Sequence, residues 1–252
     1  MENPAPTSLV IDARKLVSMK IDGPALKIVM QDRSPVLFPL RRLRRIHILG
    51  VPRDGLEALL VCAENHIPIA FFDGRGRFRC RLHHGETGQP ALLDHWFEYV
   101  EFDPEVKRGY EEWLTNQIMH AISVLGVSIG ANGAKQQLLV DMLRRYCRER
   151  LGREQFTNAL EWLEGLLRFH LEQVIEECGF RQHRARTKLI NDLKRITDLW
   201  VLHALTSHLE QSSGERVTAN GMIALYQRRA PEFEYALRRM LMQLVNRLES
   251  LV

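Results

Sequence analysis

Apolar residues alternate with polar ones in short runs over the first third of this chain, then recur at every third or fourth position to its end. The first pattern belongs to half-buried strands, the second to amphipathic helices. Leu9-Val10-Ile11-Asp12 opens the series; Val17, Met19 and Ile21 lead into the turn Asp22-Gly23-Pro24. Leu26, Ile28 and Met30 run to a second turn at Asp32 to Pro35, and Val36 to Phe38 is a further strand. Ile46, Ile48 and Leu49 end at Gly50. A helix of about 11 residues follows, with Leu56, Leu59, Leu60 and Ala63 on one face. Beyond Pro68, Ile69 to Phe72 is a strand running into Asp73-Gly74. The next strand carries Arg75, Arg77, Arg79 and Arg81; strand side chains alternate faces, so four guanidiniums line one side and Phe78, Cys80 and Leu82 pack on the other.

From Ala91 the spacing is helical. Leu92, Trp96, Tyr99 and Val100 share a face, and Asp103-Pro104 restarts a helix with proline near its first turn. Tyr110, Trp113, Leu114, Gln117 and Ile118 continue it, and Ile129 to Gly133 is a break. Leu138 to Leu151, Gln155 to Cys178, Thr187 to Glu210 and Pro231 to Leu251 each show the i, i+3, i+4 pattern. Gly179 follows Cys178 as a helix C-cap. The fold class is therefore α+β: a mostly antiparallel N-terminal β domain with one inserted helix (residues 1–82), a polar linker (83–90) and a C-terminal helical bundle (91–252).

The chain has 252 residues, of which 45% are hydrophobic, enough for a sizeable core. No apolar run has the length of a membrane span, and Met1 to Ser8 is polar and proline-containing rather than a signal peptide, so a cytoplasmic protein without a membrane partner is expected. Cys62, Cys80, Cys147 and Cys178 form no C-x-x-C pair and read as buried, reduced thiols. The net charge of +4 is gathered in clusters at Arg41 to Arg45, Arg75 to Arg81, Arg144 to Arg153 and Arg181 to Arg195. One such cluster reads as an ordinary solvated face; a phosphate backbone needs lines of cations, and four clusters taken together with the family resemblance given below favour that reading. The four tryptophans fall on helix faces and read as core.

The segment from Gly50 through His66-Ile67-Pro68-Ile69-Ala70-Phe71 to Gly74-Arg75-Gly76-Arg77-Phe78-Arg79-Cys80-Arg81-Leu82 resembles the N-terminal domain of the CRISPR-associated spacer-acquisition endonuclease/integrase family. Leu9-Val10-Ile11-Asp12, Pro39 to Ile46, and Val217-Thr218-Ala219-Asn220-Gly221 with Tyr226-Gln227-Arg228-Arg229 match it too, so the chain looks like a short, divergent member. The resemblance implies DNA as a partner, a homodimer through the N-terminal domain, and docking of the second adaptation protein or of an active homologue. It also implies Mg²⁺ or Mn²⁺ held by a Glu from a G-I-E-G-like motif, a His, and one or two later carboxylates, since such ions take oxygen ligands and polarise a phosphodiester.

That ligand set is incomplete here. G-I-E-G does not occur, and the segment ahead of Thr157-Asn158-Ala159-Leu160 looks deleted. Glu164-Gly165 keeps two letters of the motif, though Glu164 also reads as a solvated residue pairing with Arg168. His183 follows Gly179-Phe180, and Asp192 stands nine residues on; where a second acid would share its helical face the chain has Arg195, and Asp198 points elsewhere. The candidates for a metal or catalytic role are thus Glu164 (or Glu161), His183 and Asp192. If the site is active, Mg²⁺ or Mn²⁺ is its cofactor. The leading reading is a degraded site on a DNA-binding scaffold or regulatory subunit, with Arg75, Arg77, Arg79, Arg81, Arg184, Arg186, Lys188 and Arg195 as the DNA-binding candidates; the alternative is an active, minimal metal-dependent endonuclease/integrase. A third reading is a subunit that dimerises with an active homologue. His83-His84 and the pair His203 and His208 lack the partners or spacing of a metal site, and Gly74-x-Gly76 is a turn rather than a dinucleotide fingerprint.

Overall fold

The computed structural model describes residues 7–82, 92–128, 136–211 and 217–251. The chain divides into two compact units, Met1–Thr87 and Gly88–Val252. The expected linker (83–90), the break at Ile129 to Gly133 and the pair His83-His84 lie outside the described residues.

In the first unit, β1 (Thr7–Asp12), β5 (Leu43–Leu49), β6 (Ile69–Phe72) and β7 (Phe78–Leu82) form one sheet in the order β1-β5-β6-β7. A second sheet holds β2 (Leu16–Asp22), β3 (Ala25–Met30) and β4 (Val36–Pro39). The second sheet and the β6–β7 pair are antiparallel, whereas β1–β5 and β5–β6 are parallel. The parallel pairs follow from the connections: a tight turn can join only antiparallel strands, and here β5 and β6 are joined through helix α1 (Leu56–Glu64). Central strand β5 is accordingly almost continuously buried.

One apolar cluster unites both sheets and α1, with Ile11, Met19, Leu26, Ile46, Leu59 and Ile69 at its centre. The buried face of α1 is Ala58, Leu59, Cys62 and Ala63; Leu56 and Leu60, expected on that face, are exposed. Cys62 and Cys147 are buried and Cys178 half-buried, as expected, but Cys80 is exposed because β7 is an edge strand.

Among the described residues the regular elements of the second unit are all helices: α2 (Leu92–Phe102), α3 (Pro104–Ser128), α4 (Gln136–Leu151), α5 (Arg153–Glu177), α6 (His183–Gln211) and α7 (Ala219–Leu251). Helix α5 is central, buried nearly all round from Leu166 to Ile175, and packs on α6 and α7. It ends in a Schellman motif. Gly179 has φ +100°, its N–H reaches the Glu176 carbonyl at 3.0 Å, and the Phe180 N–H reaches Ile175 at 3.2 Å. Helix α7 begins twelve residues before Pro231, where the sequence pattern starts it. Pro231 costs one backbone hydrogen bond, but Met222, Leu225, Tyr226 and Ala230 are buried ahead of it, and the Thr218 hydroxyl accepts the Gly221 N–H at 3.1 Å to open the helix. Trp113 and Trp162 are core residues as expected; Trp200 is half-buried.

Gly55 precedes α1 at φ +88°, and a Cβ there would stand 2.7 Å from Met19 Cβ. Gly55→Ala therefore combines left-handed backbone strain with overpacking and lowers stability by about 2–4 kcal/mol. Gly23→Ala, at φ +57° with open space around it, costs about 1 kcal/mol. Urea denaturation of the two variants beside wild type checks the order; equal losses would contradict this packing.

Candidate nucleic-acid interface

Helix α6 carries most of the candidate side chains, and its start is fixed from outside. The carboxylate of Asp94, wholly buried in α2, accepts the backbone N–H groups of Arg181 and Gln182, each at 3.0 Å. These donors precede the first turn of α6, where an acid is favoured by both hydrogen bonding and the helix dipole. Phe180 lies beneath them against Phe97, ring centroids 5.8 Å apart. His183 opens the helix; its side chain lies outside the described residues.

Arg184, Lys188, Asn191 and Arg195 follow at i, i+4, i+7 and i+11, so they share one face of α6. Arg184 is exposed and pairs with Glu101 of α2. Lys188 Nζ donates to Asp192 Oδ2 at 3.0 Å and stands 5.2 Å from the centroid of the Tyr110 ring. Arg195 is exposed. Arg186 points back to α5, where it pairs with Glu176 at 3.4 Å and is largely covered. Exposed ion pairs contribute about 0–1 kcal/mol, so Arg184 can exchange Glu101 for a phosphate at little cost, whereas Arg186 is built into the α5–α6 contact.

Asp192 is engaged twice through one oxygen. The Tyr110 hydroxyl donates to Oδ2 at 2.7 Å, and the Lys188 ammonium shares that atom. Burial, and then this bond to a carboxylate, raise the Tyr110 phenol far above its ordinary range, so it stays a donor at any working pH. Glu164 lies on another flank. With Asp198, Asn191, Lys194 and Thr197 it lines a cleft of about 200 Å³ between α5 and α6. The Glu164 residue as a whole is open, but protein crowds its carboxyl: burial first, then Asp198, raise its pKa, while Lys194 and Arg144 act against them. Asp198 is raised by burial. Arg168 donates to Glu172 at 3.2 Å. The structure thus sends Asp192 toward α3 and Glu164 toward the opposite flank of α6. Among the described residues no group of three or more His, Cys, Asp or Glu side chains is placed to hold a metal ion. The donors do not fit a divalent cation: an ammonium already shares the oxygen of Asp192, and a guanidinium occupies the next position along its face.

In the first unit the four-arginine ridge is shortened. The Asp73 carboxylate accepts the backbone N–H groups of Arg75 at 2.8 Å and Arg77 at 3.0 Å, so the turn extends through Arg77 and the strand begins at Phe78. Only Arg79 and Arg81 share a strand face; Arg75 and Arg77 belong to the turn.

The sequence pattern did not announce one buried network. His170 of α5 is fully buried; its Nε2 lies 3.1 Å from Glu234, and its Nδ1 lies 3.1 Å from the Tyr226 hydroxyl. A carboxylate only accepts, so Nε2 carries the proton toward Glu234 and Nδ1 accepts from Tyr226. Glu234 also holds Arg238 at 3.0 Å, and Arg238 pairs with Glu177. This chain fastens α5 to α7. The sequence around His170 also carries Arg168, Glu172 and Gln173, so it held no local signal of this network.

A raised folded-state pKa means the folded protein holds the Glu164 proton more tightly than the unfolded chain. Its stabilising share is complete below the ordinary value of 4.5 and is lost as pH rises through the folded value. Glu164→Gln is therefore expected to raise the melting temperature at pH 7.5, with the gain vanishing toward pH 4. A uniform effect across that range would contradict the placement of Glu164.

A sequence model of the family CRISPR associated protein Cas1 matches residues 13–168, more than half of the chain. No curated protein matches. Among solved structures, a CAS1 protein from Thermotoga maritima is 11% identical, with 96% of each chain covered and a TM-score of 0.64. TtCas1 is 14% identical, covering 98% of this chain and 99% of that one at 0.63. A casposase bound to an integration product is 15% identical, covering 95% and 90% at 0.62. These likenesses are of fold, and at such coverage the deletion expected ahead of Thr157 does not show in the fold. The β unit followed by a helical unit and the match over residues 13–168 agree: the chain belongs to the Cas1 family of CRISPR-associated, integrase-like proteins.

Proposed function

We propose that this Cas1-family protein binds DNA through the basic face of α6 and serves CRISPR adaptation as a scaffold or regulatory subunit, without a divalent-metal centre. The observation that carries the reading is the Tyr110–Asp192–Lys188 cluster. The carboxylate that resembles a family ligand is held by a hydroxyl and an ammonium, which neutralise it without a metal. Arg195 stands where the second acid would be. The stretch Gly130-Ala131-Asn132-Gly133, outside the described residues, has the form of the family's G-I-E-G with an uncharged amide at the acidic position. Asn132 in that role accounts for the missing Glu better than Glu164 or Glu161, which lie on α5.

Arg184, Lys188 and Arg195 then act on phosphates, with Arg186 bracing the helix and Arg75, Arg77, Arg79 and Arg81 as a second basic surface on the β unit. DNA as partner is supported by the family and by the casposase, which is described with its integration product. A Cas6-RT-Cas1–Cas2 complex is a further fold neighbour (TM-score 0.56, 15% identity), though this chain covers 36% of that one; it supports docking of the second adaptation protein. Homodimerisation through the β unit is supported by its exposed apolar residues, Val36 and Leu37 on edge strand β4 and Leu56 and Leu60 on α1. Among the described residues no helix is long and apolar enough to cross a membrane.

The test is duplex binding across a salt series for wild type and Arg184→Glu/Arg195→Glu. Each lost phosphate contact flattens the slope of log K against log salt by about 0.9, so the double variant is expected to lose up to about 2 units of slope and most of its affinity at low salt. An unchanged slope would remove α6 from the interface. Strand cleavage and joining are measured in the same samples with Mn²⁺ and with EDTA. No metal-dependent turnover is expected, and turnover abolished by Asp192→Ala would establish the active-enzyme reading instead.

A further inference from the structure

The basic face of α6 does not end on a basic residue. Arg184, Lys188, Asn191 and Arg195 are followed by Asp198, at i+14 from the first, and all five stay within a sector of ~80° around the helix. Asp198 also lines the α5–α6 cleft, with Asn191 and Lys194 from its own helix and Glu164 and Arg168 from α5. Leu167 and Ile190 make part of that cleft apolar. Arg144 of α4 and Glu161 of α5 complete the charges that act on Glu164, and Arg168 pairs with Glu172. Asp192 is held by a hydroxyl and an ammonium, whereas Glu164 and Asp198 take no hydrogen bond or ion pair from a described residue. Two like charges therefore close a cationic track without direct partners among the described residues.

We infer that DNA lying on the basic face of α6 binds together with a proton, taken from solvent onto a carboxylate oxygen of the Glu164–Asp198 pair. The inference rests on the proposed DNA-binding role of α6 and adds its regulation by pH. Asp198 is one turn beyond Arg195, ~4.5 Å along the axis. A phosphate held by Arg195 thus stands within about one screening length of it, ~8–10 Å. An ionised pair repels that phosphate. A carboxyl that gains a proton removes the repulsion and becomes a donor to a phosphate oxygen. Lys194 and Arg144 now offset the two negative charges, and a phosphate that draws Lys194 to itself withdraws part of that support. Burial, and for Glu164 the charge of Asp198, already hold both carboxyls above their ordinary range, so the added charge of DNA acts on groups that take a proton readily. Coupling of two binding events is reciprocal: DNA raises the proton affinity of the pair, and the protonated pair binds DNA more tightly by the same factor. Affinity then rises as pH falls through the range of the DNA-bound carboxyls, and levels off once the free protein is protonated as well.

Binding of one blunt DNA duplex is measured by fluorescence anisotropy at fixed salt, from about pH 8 to about pH 5. The proteins are wild type, Glu164→Gln/Asp198→Asn, and the control Glu249→Gln at the exposed end of α7. The amides keep the size of the acids without their charge, and thermal melts check that each variant is folded. Wild type and the control are expected to bind roughly ten-fold more tightly at the acid end of the series. The double variant should bind at about pH 8 as tightly as wild type does at about pH 5, with little change between. Isothermal titration in buffers of different ionisation enthalpy counts the proton: about 0.5–1 taken up per bound wild-type chain near neutral pH, and almost none by the double variant. Wild-type affinity that is constant with pH, a pH dependence that survives undiminished in the double variant, or no gain in that variant at about pH 8 overturns the coupling and leaves the α6 interface standing. No duplex binding at any pH, by wild type or variant, defeats the α6 reading itself and the coupling with it.

Discussion

Tyr110 is almost wholly buried between α3 and α6, and its hydroxyl lies 2.7 Å from Asp192. The proposed function turns on that bond. It holds the carboxylate of α6 toward the α3 side, brings Lys188 over the same oxygen, and leaves Arg184 and Arg195 on the open side of the helix. A half-buried carboxylate is stabilised by partners, and two ways of supplying them are a divalent cation or donors from the protein. Here the donors are a phenol that burial keeps protonated and an ammonium one helical turn away. The cluster is complete without an ion, and the charge left on the surface of α6 is positive.

The rest of the unit supports that helix from its ends and its back. Asp94 secures the first turn through two backbone N–H groups. The Schellman turn at Gly179 delivers Phe180 into the core and sets the direction in which α6 leaves α5. Behind α5, His170 joins Tyr226 to Glu234, so α7 is registered by hydrogen bonds as well as by apolar packing. Each contact is polar and buried, and each constrains geometry more than an equal area of leucine would.

Much of this was legible in the sequence because periodicity reports burial directly. The alternation through Val17, Met19 and Ile21 gave a strand, and the spacing through α5 gave a helix, since in both cases one face meets the core. What escaped was set by distant partners. The alternating arginines did not all join β7 because the Asp73 side chain captures the backbone of Arg75 and Arg77 before pairing with β6 begins. Pro231 did not start α7 because buried side chains upstream outweigh one absent hydrogen bond. Asp192 was singled out by resemblance alone, and its bond to Tyr110, 82 residues away, is a pairing that no local pattern encodes. Glu164 resembled a ligand by two letters of text, and the fold turns it to another flank of α6.

The central claim is that internal donors have taken the place of a metal at Asp192. Titrating Mn²⁺ into the protein while following the free-ion electron paramagnetic resonance signal tests it directly, without reference to any activity. The account predicts that the signal grows as it does in buffer, for wild type and Asp192→Asn alike. One Mn²⁺ withdrawn per wild-type chain, and released by Asp192→Asn, would contradict it.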